Sequence, residues 1–453
     1  MPRTAMPRTA AAIAALWILT APGYAFAQAG NQTPPTQTAD RAAAEPVDEP
    51  ATPAATLAAV PAPERQEPRP GFLRRRIDAF FSDGEGIGLH LGPFVPGIES
   101  VSSGSGLGPM LHFWTPNIGG SPFDIHASAA YSINRYQYYD FQAGLLPHVG
   151  KHLPRIERGT SAIFPLSDLE KTSGGPGFSI YASARYRNYP REVFYGLGPS
   201  SLRLDRSDYR RKEGLYEGVV SLRVARISLM GRAGVFQTEI LPGDDSLFPN
   251  TEISFSEATA PGLFSTPANF MHVSGGAWLE LRDEPLNPHR GISIGAAVSR
   301  FDDRGGSAFQ FNRVSVDLRE YIPLGSNRSV IALRQLTTLD DPDAGSKVPF
   351  YMQSTLGRST FLRGYSSFRF RDDKLLAFEA EYRFEVVPKV ELALLYDTGK
   401  VFHTIGDFDL RDLRRSWGAG IRLKSPKKVK LRLDVMRSGS EGTRVQVKLD
   451  QSF

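Results

Sequence analysis

The clearest regularity along the chain is an alternation of apolar and polar residues with a period of two. Between residues 443 and 453, Val445, Val447 and Leu449 are separated by charged or amide-bearing side chains. The same alternation recurs at 378–384, 416–423 and 428–436. Because successive side chains of a β-strand point to opposite faces, these segments predict strands with one apolar face and one charged face.

Extended over the body of the chain, the alternation predicts sixteen strands. They span 87–94, 104–114, 123–134, 136–146, 176–187, 214–225, 227–239, 269–282, 290–300, 308–321, 328–338, 374–385, 389–397, 414–424, 428–437 and 443–453. A soluble antiparallel sheet with one wet face has the same period. Three features favour a membrane barrel instead. The strand count is even, the polar face is densely charged, and no further apolar segments remain to cover the apolar face. We therefore predict an all-β fold, a 16-stranded antiparallel transmembrane β-barrel at 86–453.

The lengths of the connections agree with a barrel whose N-terminus lies in the periplasm. Short turns are predicted at one end, at 322–327, 386–388 and 425–427. Long extracellular loops are predicted at the other end, at 188–213, 240–268, 339–373 and 398–413. Residues 147–175 break this rule, because a long segment falls where a short periplasmic turn belongs. Either they form an insertion or the predicted strand order fails there.

The N-terminal region has a different composition from the barrel. Residues 1–27 predict a signal peptide, with arginines at the start, an apolar stretch at 10–21 too short to span a bilayer, and small residues before Gln28. Residues 28–70 are rich in proline and alanine and lack aromatic residues, which predicts a disordered linker. Residues 71–85 predict a short periplasmic segment whose apolar spacing is compatible with helical turns.

Composition narrows the function classes further. The chain contains no cysteine, which excludes disulfide scaffolds, thiol catalysis and cysteine-based metal or lipid sites. Its mean hydropathy of −0.26 and its 22% charged residues argue against a polytopic helical membrane protein. The net charge of +5 is small for 453 residues and gives no reason to expect nucleic acid as a partner.

Two short motifs have the spacing of chemical sites but the wrong context. His148 and His152 have the spacing of metal ligands on a helix, yet prolines flank them, so we interpret them as loop histidines. Residues 291–295 match the G-x-S-x-G nucleophile motif, which requires a sharp strand-to-helix turn. Here the motif opens a predicted strand and places Ser293 on its lumen face, so we interpret it as ordinary strand.

An acidic cluster could in principle hold calcium, but a solvated extracellular turn explains it as well. Its members are Asp340, Asp341 and Asp343. With no stronger candidate in the sequence, we predict no catalytic residue, no metal, no cofactor and no enzyme activity.

Particular residues in the second half of the chain add a family resemblance. A short motif in the longest loop comprises Phe361, Leu362, Arg363, Gly364 and Tyr365. This motif is accompanied by the strands at 378–384 and 394–402, the segments 194–198 and 282–291, and the terminal Phe453. In these features the chain resembles the outer-membrane assembly-factor superfamily, the bacterial surface antigen barrels that include BamA, TamA and two-partner secretion transporters.

The resemblance implies that the sixth extracellular loop folds into the lumen and places Arg363 against acidic residues of the barrel wall. The alternation supports this arrangement, because Glu381 and Asp397 both fall on the lumen face of adjacent predicted strands. One guanidinium could bridge both carboxylates with its fixed fork of donors. An arginine buried there without such partners would be costly. Phe453 would serve as the C-terminal signal of the barrel.

The resemblance also implies a function in the bacterial cell outer membrane. It implies assistance in protein insertion into, or translocation across, that membrane, with a weakly paired seam between the first and last strands as a lateral opening. The implied partners are outer-membrane lipid, unfolded or secreted protein clients and a separate periplasmic protein, without nucleic acid. Most family members carry POTRA domains before the barrel, whereas here we predict only the linker and the segment 71–85 in that place.

Two other functions stay open at this stage. The first is a passive pore or structural outer-membrane barrel, which a plugged lumen of low conductance would argue against. The second is a lipid-modifying barrel enzyme, which would need a Ser–His pair in the lumen or at its rim. The predicted strands offer no convincing pair of that kind.

Overall fold

The computed structural model describes residues 91–102, 104–147, 166, 177–306, 308–357, 361–424 and 429–448. All of them lie in the second of the two units into which the chain divides, Met1–Pro68 and Arg69–Phe453. The predicted signal peptide, linker and segment 71–85 lie outside the described residues, as do His148, His152 and Phe453.

Sixteen strands form a single antiparallel sheet in chain order, interrupted only by a separate hairpin of β12 and β13. The strands are β1 (Phe94–Glu99), β2 (Gly108–Thr115), β3 (Asp124–Tyr131), β4 (Gln137–Leu145), β5 (Phe178–Phe194), β6 (Ser207–Val224), β7 (Ile227–Pro242), β8 (Ala268–Glu280), β9 (Gly291–Asp303), β10 (Phe311–Leu324), β11 (Ser326–Pro342), β12 (Ser354–Leu356), β13 (Phe370–Asp372), β14 (Lys374–Val387), β15 (Val390–Phe402), β16 (Arg414–Lys424), β17 (Val429–Ser438) and β18 (Gly442–Lys448). The only α-helix with bounds in the described part is the single turn Thr251–Ser254. The predicted all-β class and the sixteen-stranded antiparallel sheet are confirmed.

The first strand differs from its predicted position. The alternation predicts it at 87–94, but β1 begins at Phe94 and ends at Glu99. Residues Leu91 and Phe94 pair across a tight turn, in which Gly92 adopts a φ of +63°. The turn at 91–94 is incompatible with the uninterrupted strand that the pattern predicts through residue 94, and residues 87–90 lie outside the described residues.

Two strands extend well beyond their predicted ends. β5 continues to Phe194 and β6 starts at Ser207, so the loop between them is much shorter than the predicted 188–213. The added part of β6 is rich in charged residues and lacks the alternation. Its charges are instead paired inside the barrel, as in the contact of 3.1 Å between Arg187 Nη1 and Glu213 Oε1.

The two faces of the sheet are chemically opposite. Outward positions expose large apolar side chains, such as Trp417 (60% exposed) and Leu394 (62%). Inward positions bury charged groups, such as Arg422 and Asp397, both 0% exposed. This is the reverse of a soluble fold, and it matches a lipid-facing exterior around a polar lumen.

The edges of the sheet are not joined in the described part of the chain. β1 pairs with β2 alone and β18 pairs with β17 alone. Within the predicted insertion 147–175, the structure describes Pro147 and Leu166, and Leu166 packs against the inward side chains of Val219, Met230 and Trp278. Among the described residues, no helix has the length and hydrophobicity needed to span a bilayer.

Candidate lumen clamp

The long connection between β11 and β14 folds onto the inner face of the sheet. It carries the β12–β13 hairpin and the residues Phe361–Tyr365. Phe361, Leu362 and Tyr365 are buried and form one apolar cluster with Leu375, Ala377 and Val401 of the wall. The predicted inward-folded loop is therefore confirmed, and its apolar residues fix it beside β14 and β15.

Arg363 lies at the centre of this contact, and the structure brings it together with both predicted partners. Its Nη1 is 2.6 Å from Oε1 of Glu381, and its Nη2 is 2.5 Å from Oδ1 of Asp397. The backbone N–H of Arg363 also donates to Asp397 Oδ2 at 2.8 Å. The three side chains are at most 2% exposed. One guanidinium thus joins carboxylates from two adjacent strands, the fork-like pairing for which arginine is suited.

The partner carboxylates belong to a wider network of buried charges. Glu381 also accepts from Arg383 at 2.9 Å and from Arg422 at 2.7 Å. A further carboxylate, Asp434, lies 3.7 Å from Arg363 and 3.0 Å from Arg432. Burying so many charges is tolerable only when each has partners of opposite sign. Removing Arg363 would therefore disturb more than a single ion pair.

The residues on either side of Arg363 have backbone positions that tolerate few substitutions. Leu362 adopts a φ of +58°, which an L-residue seldom occupies. Next to it, a Cβ added to Gly364 would lie 2.7 Å from Ser416 Cβ and 3.0 Å from the carbonyl carbon of Arg437. The absence of a side chain at Gly364 lets the loop approach β16 and β17 this closely.

A second tether joins the loop to the β17–β18 connection through Glu441. This carboxylate accepts from the backbone N–H of Ser366 at 2.8 Å, from Ser366 Oγ at 2.7 Å and from Arg369 Nε at 2.6 Å. Burial raises the pKa of Glu441, but the hydrogen bonds from Ser366 and the charge of Arg369 outweigh it and hold the pKa below its ordinary value. Glu441 cannot be predicted as a tether from the sequence, because it is an isolated acid in a turn rich in glycine and serine.

A third tether joins the loop to the connection between β5 and β6. The backbone N–H of Gly198 donates to the carbonyl of Arg371 at 2.7 Å, and Arg369 Nη2 donates to the carbonyl of Ser201 at 2.6 Å. The connection that follows segment 194–198 therefore contacts the same inward loop that carries 361–365, through Arg369 and Arg371 of that loop. The third motif segment, 282–291, lies in the β8–β9 connection at the opposite end of the sheet.

The acidic cluster is only in part the solvated turn that the sequence predicts, because Asp341 is exposed and Asp343 is half-buried, whereas Asp340 is buried. Asp340 is fully buried and makes a bidentate pair with Arg313 at 2.6 and 2.7 Å. Asp343 makes a separate bidentate pair with Arg300, 2.7 Å for each contact. Each of these two carboxylates pairs with a different arginine. The sequence could not predict these pairs, because its alternation does not give the register between the neighbouring strands that carry the arginines.

Comparisons with known proteins agree with this architecture. The Omp85 superfamily domain matches residues 263–451. BamA from Haemophilus ducreyi lacking POTRA domains 1–3 is similar with a TM-score of 0.53 and 15% identity, covering 78% of this chain and 69% of that one. At that identity the likeness concerns the fold. No curated protein sequence is significantly similar to the chain.

Two further solved structures are more distant. CdiB from Acinetobacter baumannii has a TM-score of 0.45 and 10% identity, and the match covers 75% of this chain and 56% of that one. CdiB from Escherichia coli has a TM-score of 0.45 and 12% identity, and the match covers 79% of this chain and 62% of that one. The chain therefore spans less than two thirds of either CdiB structure.

Proposed function

The chain carries an Omp85 superfamily domain at residues 263–451, and from that premise we propose that it is an integral protein of the bacterial outer membrane that assists the insertion of proteins into that membrane or their translocation across it. Its outward apolar face would contact outer-membrane lipid. Its clients would be unfolded or secreted proteins, and a separate periplasmic protein would deliver them. In this role the barrel performs no covalent chemistry.

The observation that carries the proposal is the anchoring of the inward loop by Arg363 through Glu381 and Asp397. A loop held at two adjacent strands occupies the lumen and opposes free diffusion through it, so a passive pore is the less favoured function. The loop is tied to β14 and β15 by Arg363 and to β18 by the hydrogen bond of 2.7 Å that Arg444 Nη2 donates to Ser366 Oγ, whereas β1 pairs only with β2 in the described part of the chain. A client strand could then be added at the β1 edge, where backbone donors and acceptors are available.

Reconstitution tests this proposal directly. The purified protein is placed in liposomes, a urea-denatured outer-membrane barrel is added, and its folding is followed by protease protection. We expect client folding to be at least about tenfold faster than in empty liposomes. Equal rates in the two preparations would contradict the proposal, and a large ion conductance without accelerated folding would favour the pore.

Crosslinking tests the role of the sheet edges. The natural chain has no cysteine, so Ile98→Cys on β1 and Val445→Cys on β18 introduce the only thiols, both at exposed positions. Joining them with a short bismaleimide should abolish the acceleration of client folding. The two single-cysteine variants, treated with the same reagent, are the matched controls and should keep full activity.

A further inference from the structure

A second group of buried polar residues lies on the inner face of β2, β3 and β4, away from the clamp strands. It comprises His112 on β2, His126 and Ser128 on β3, and Asp140 on β4. Each is at most 6% exposed. The proposed function makes no use of these side chains, so their arrangement calls for a separate explanation.

The strand register brings these residues together. His126 and Ser128 are two positions apart on β3 and therefore share a face. Ser128 pairs directly with Asp140 on one neighbouring strand and with His112 on the other. Cross-strand neighbours lie close enough for their side chains to interact. A hydroxyl, two imidazoles and a carboxylate thus converge on one point of the wall.

The contacts have the order of a serine hydrolase triad. Ser128 Oγ lies 3.1 Å from Nε2 of His126, within hydrogen-bond reach. On the other side of the ring, His126 Nδ1 lies 3.6 Å from Oδ1 of Asp140, within ion-pair distance but beyond hydrogen-bond distance. Nucleophile, base and orienting carboxylate follow one another through the two different ring nitrogens, which is how such a triad is recognised independently of the fold. Distances in the resting state of such sites are often longer than in the reacting complex.

The neighbouring side chains support one protonation pattern. Asp140 favours a proton on His126 Nδ1, which leaves Nε2 free to accept the proton of Ser128. Arg185 Nε donates to Asp140 Oδ2 at 3.4 Å and so favours the charged carboxylate. His112 Nδ1 is 2.9 Å from Ser128 Oγ and can donate to the lone pair of that oxygen. His112 therefore serves as a positioning residue for the hydroxyl.

We propose that Ser128, His126 and Asp140 form a hydrolytic site for a carboxylic ester that reaches the barrel lumen. Ser128 Oγ would attack the acyl carbon while His126 Nε2 takes the hydroxyl proton. The C–O bond of the ester then breaks, and His126 returns the proton to the departing alkoxide, leaving an acyl-serine and a free alcohol. Water, deprotonated by His126, hydrolyses the acyl-serine to a carboxylic acid and restores Ser128.

This inference does not rest on the proposed function. The site lies on the third and fourth strands of the sheet, whereas Arg363 is held by β14 and β15. The chain also provides an internal comparison. Ser293 on β9 is a buried, inward serine in a G-x-S-x-G sequence, but its hydroxyl has no hydrogen-bond partner among the residues that the structure describes. If geometry rather than motif makes a nucleophile, Ser128 should react and Ser293 should not.

Covalent labelling tests the nucleophile. The folded full-length protein in detergent is treated with a small fluorophosphonate, and peptide mass spectrometry locates the label. We expect the label on Ser128 and none on Ser293, and this result needs no variant that must fold. Absence of label on Ser128 in protein that still shows heat-modifiable migration would overturn the proposal.

Variants then separate catalysis from structure, with p-nitrophenyl butyrate hydrolysis as the second readout. Ser128→Ala should abolish labelling and turnover, His126→Gln should lower both at least about 100-fold, and Ser293→Ala should keep the full rate. Asp140→Asn should lower turnover and shift its pH profile, and Asp140→Glu should restore part of it. Equal rates in the parent protein and in Ser128→Ala or His126→Gln would show that these residues form only a structural polar network.

Discussion

Arg363 makes more contacts to carboxylates than any simple surface pair would provide. It is held by Glu381 and Asp397 from adjacent strands, and Asp434 lies within 4 Å from a third strand. Because the acids are also close to one another, removing the arginine would leave like charges facing each other without the cation that they share. The residue therefore holds the loop and offsets the negative charge of the wall at the same time.

Replacing this residue gives the first prediction. Arg363→Ala should destabilise the folded barrel by an amount between the ~1 kcal/mol of an exposed ion pair and the ~3–5 kcal/mol of a fully buried one, since a barrel lumen is partly hydrated. The measurement is the midpoint of heat-modifiable migration, and single-channel conductance should increase as the loop is released. The exposed Arg290→Ala serves as control. Unchanged heat resistance and conductance in Arg363→Ala would mean that the loop has no need of the arginine.

A charge swap extends this prediction. Arg363→Glu combined with Asp397→Arg should recover part of the lost heat resistance, because an ion pair of opposite sense can form between the same positions. Full recovery is not expected, because the bidentate geometry of the original pair is lost. Arg363→Glu alone should be worse than Arg363→Ala, since it adds a further negative charge beside four acids.

Gly364 gives the second prediction, which concerns packing rather than charge. Gly364→Ala places a Cβ 2.7 Å from Ser416 Cβ and close to the backbone of β17, so the loop or the wall must move. We expect a destabilisation of about 1–3 kcal/mol, measured by the same thermal shift. Gly231→Ala on β7 has open space around its added Cβ and should show little change, which separates the clash from a general effect of removing glycine.

The inward loop is an element held at several points, and Glu441 makes one of them sensitive to pH. The pKa of Glu441 is lower in the folded protein than in an unfolded chain. Its contribution to stability is therefore complete above the unfolded pKa of about 4.3 and is lost as the pH falls through the lower folded value. The tether to Ser366 and Arg369 should weaken only in acid.

The third prediction follows from the lowered pKa of Glu441. Protease cleavage within 343–373 should become faster as the pH is lowered below about 4, and an acid-stable protease such as pepsin allows the measurement. In Glu441→Gln the loop should already be more accessible than in the parent protein above about pH 4, with a smaller dependence on pH over the same range. If Glu441→Gln kept the full pH dependence of cleavage seen in the parent protein, Glu441 would not be the cause of that dependence.

Leu166 raises a related question about the segment 147–175. Its side chain is buried against Val219, Met230 and Trp278 on the inner face of the sheet. A segment predicted to lie at the short-turn end therefore has at least one residue that contacts the wall from inside.

At the scale of the whole molecule, the fourth prediction concerns the N-terminal region. The mature protein should begin at Gln28 and fractionate with outer membranes, because residues 1–27 have the order of a signal peptide. N-terminal sequencing of the membrane-embedded form is the test, and a start at Met1 or Met6 would contradict it. Protease added from the periplasmic side should remove 28–70 and leave a folded core that starts near Gly71, whereas protection of 28–70 would indicate a folded domain there.

Much of this architecture follows from the sequence alone, because the period-two alternation is a local property of each strand. The alternation predicts the all-β class, sixteen strands in one antiparallel sheet and the face on which each side chain lies. It also places Glu381 and Asp397 on the lumen side, where the structure has them within reach of Arg363. An arginine in a long loop and two acids on adjacent strands are visible without any coordinates.

Only the tertiary structure decided which charges meet. Four features depend on the register between strands or on how loops return to the wall. They are the extension of β5 and β6, the pairing of the buried Asp340 with Arg313, the tether at Glu441 and the alignment of Ser128 with Asp140. Alternation fixes the face on which a residue lies but not the residue of the neighbouring strand with which it pairs, because that register is set by turns and by pairing along the whole sheet. The chemistry of the lumen depends on that register: His126 and Ser128 share a face within one strand, but Asp140 and His112 join them only when the neighbouring strands are aligned.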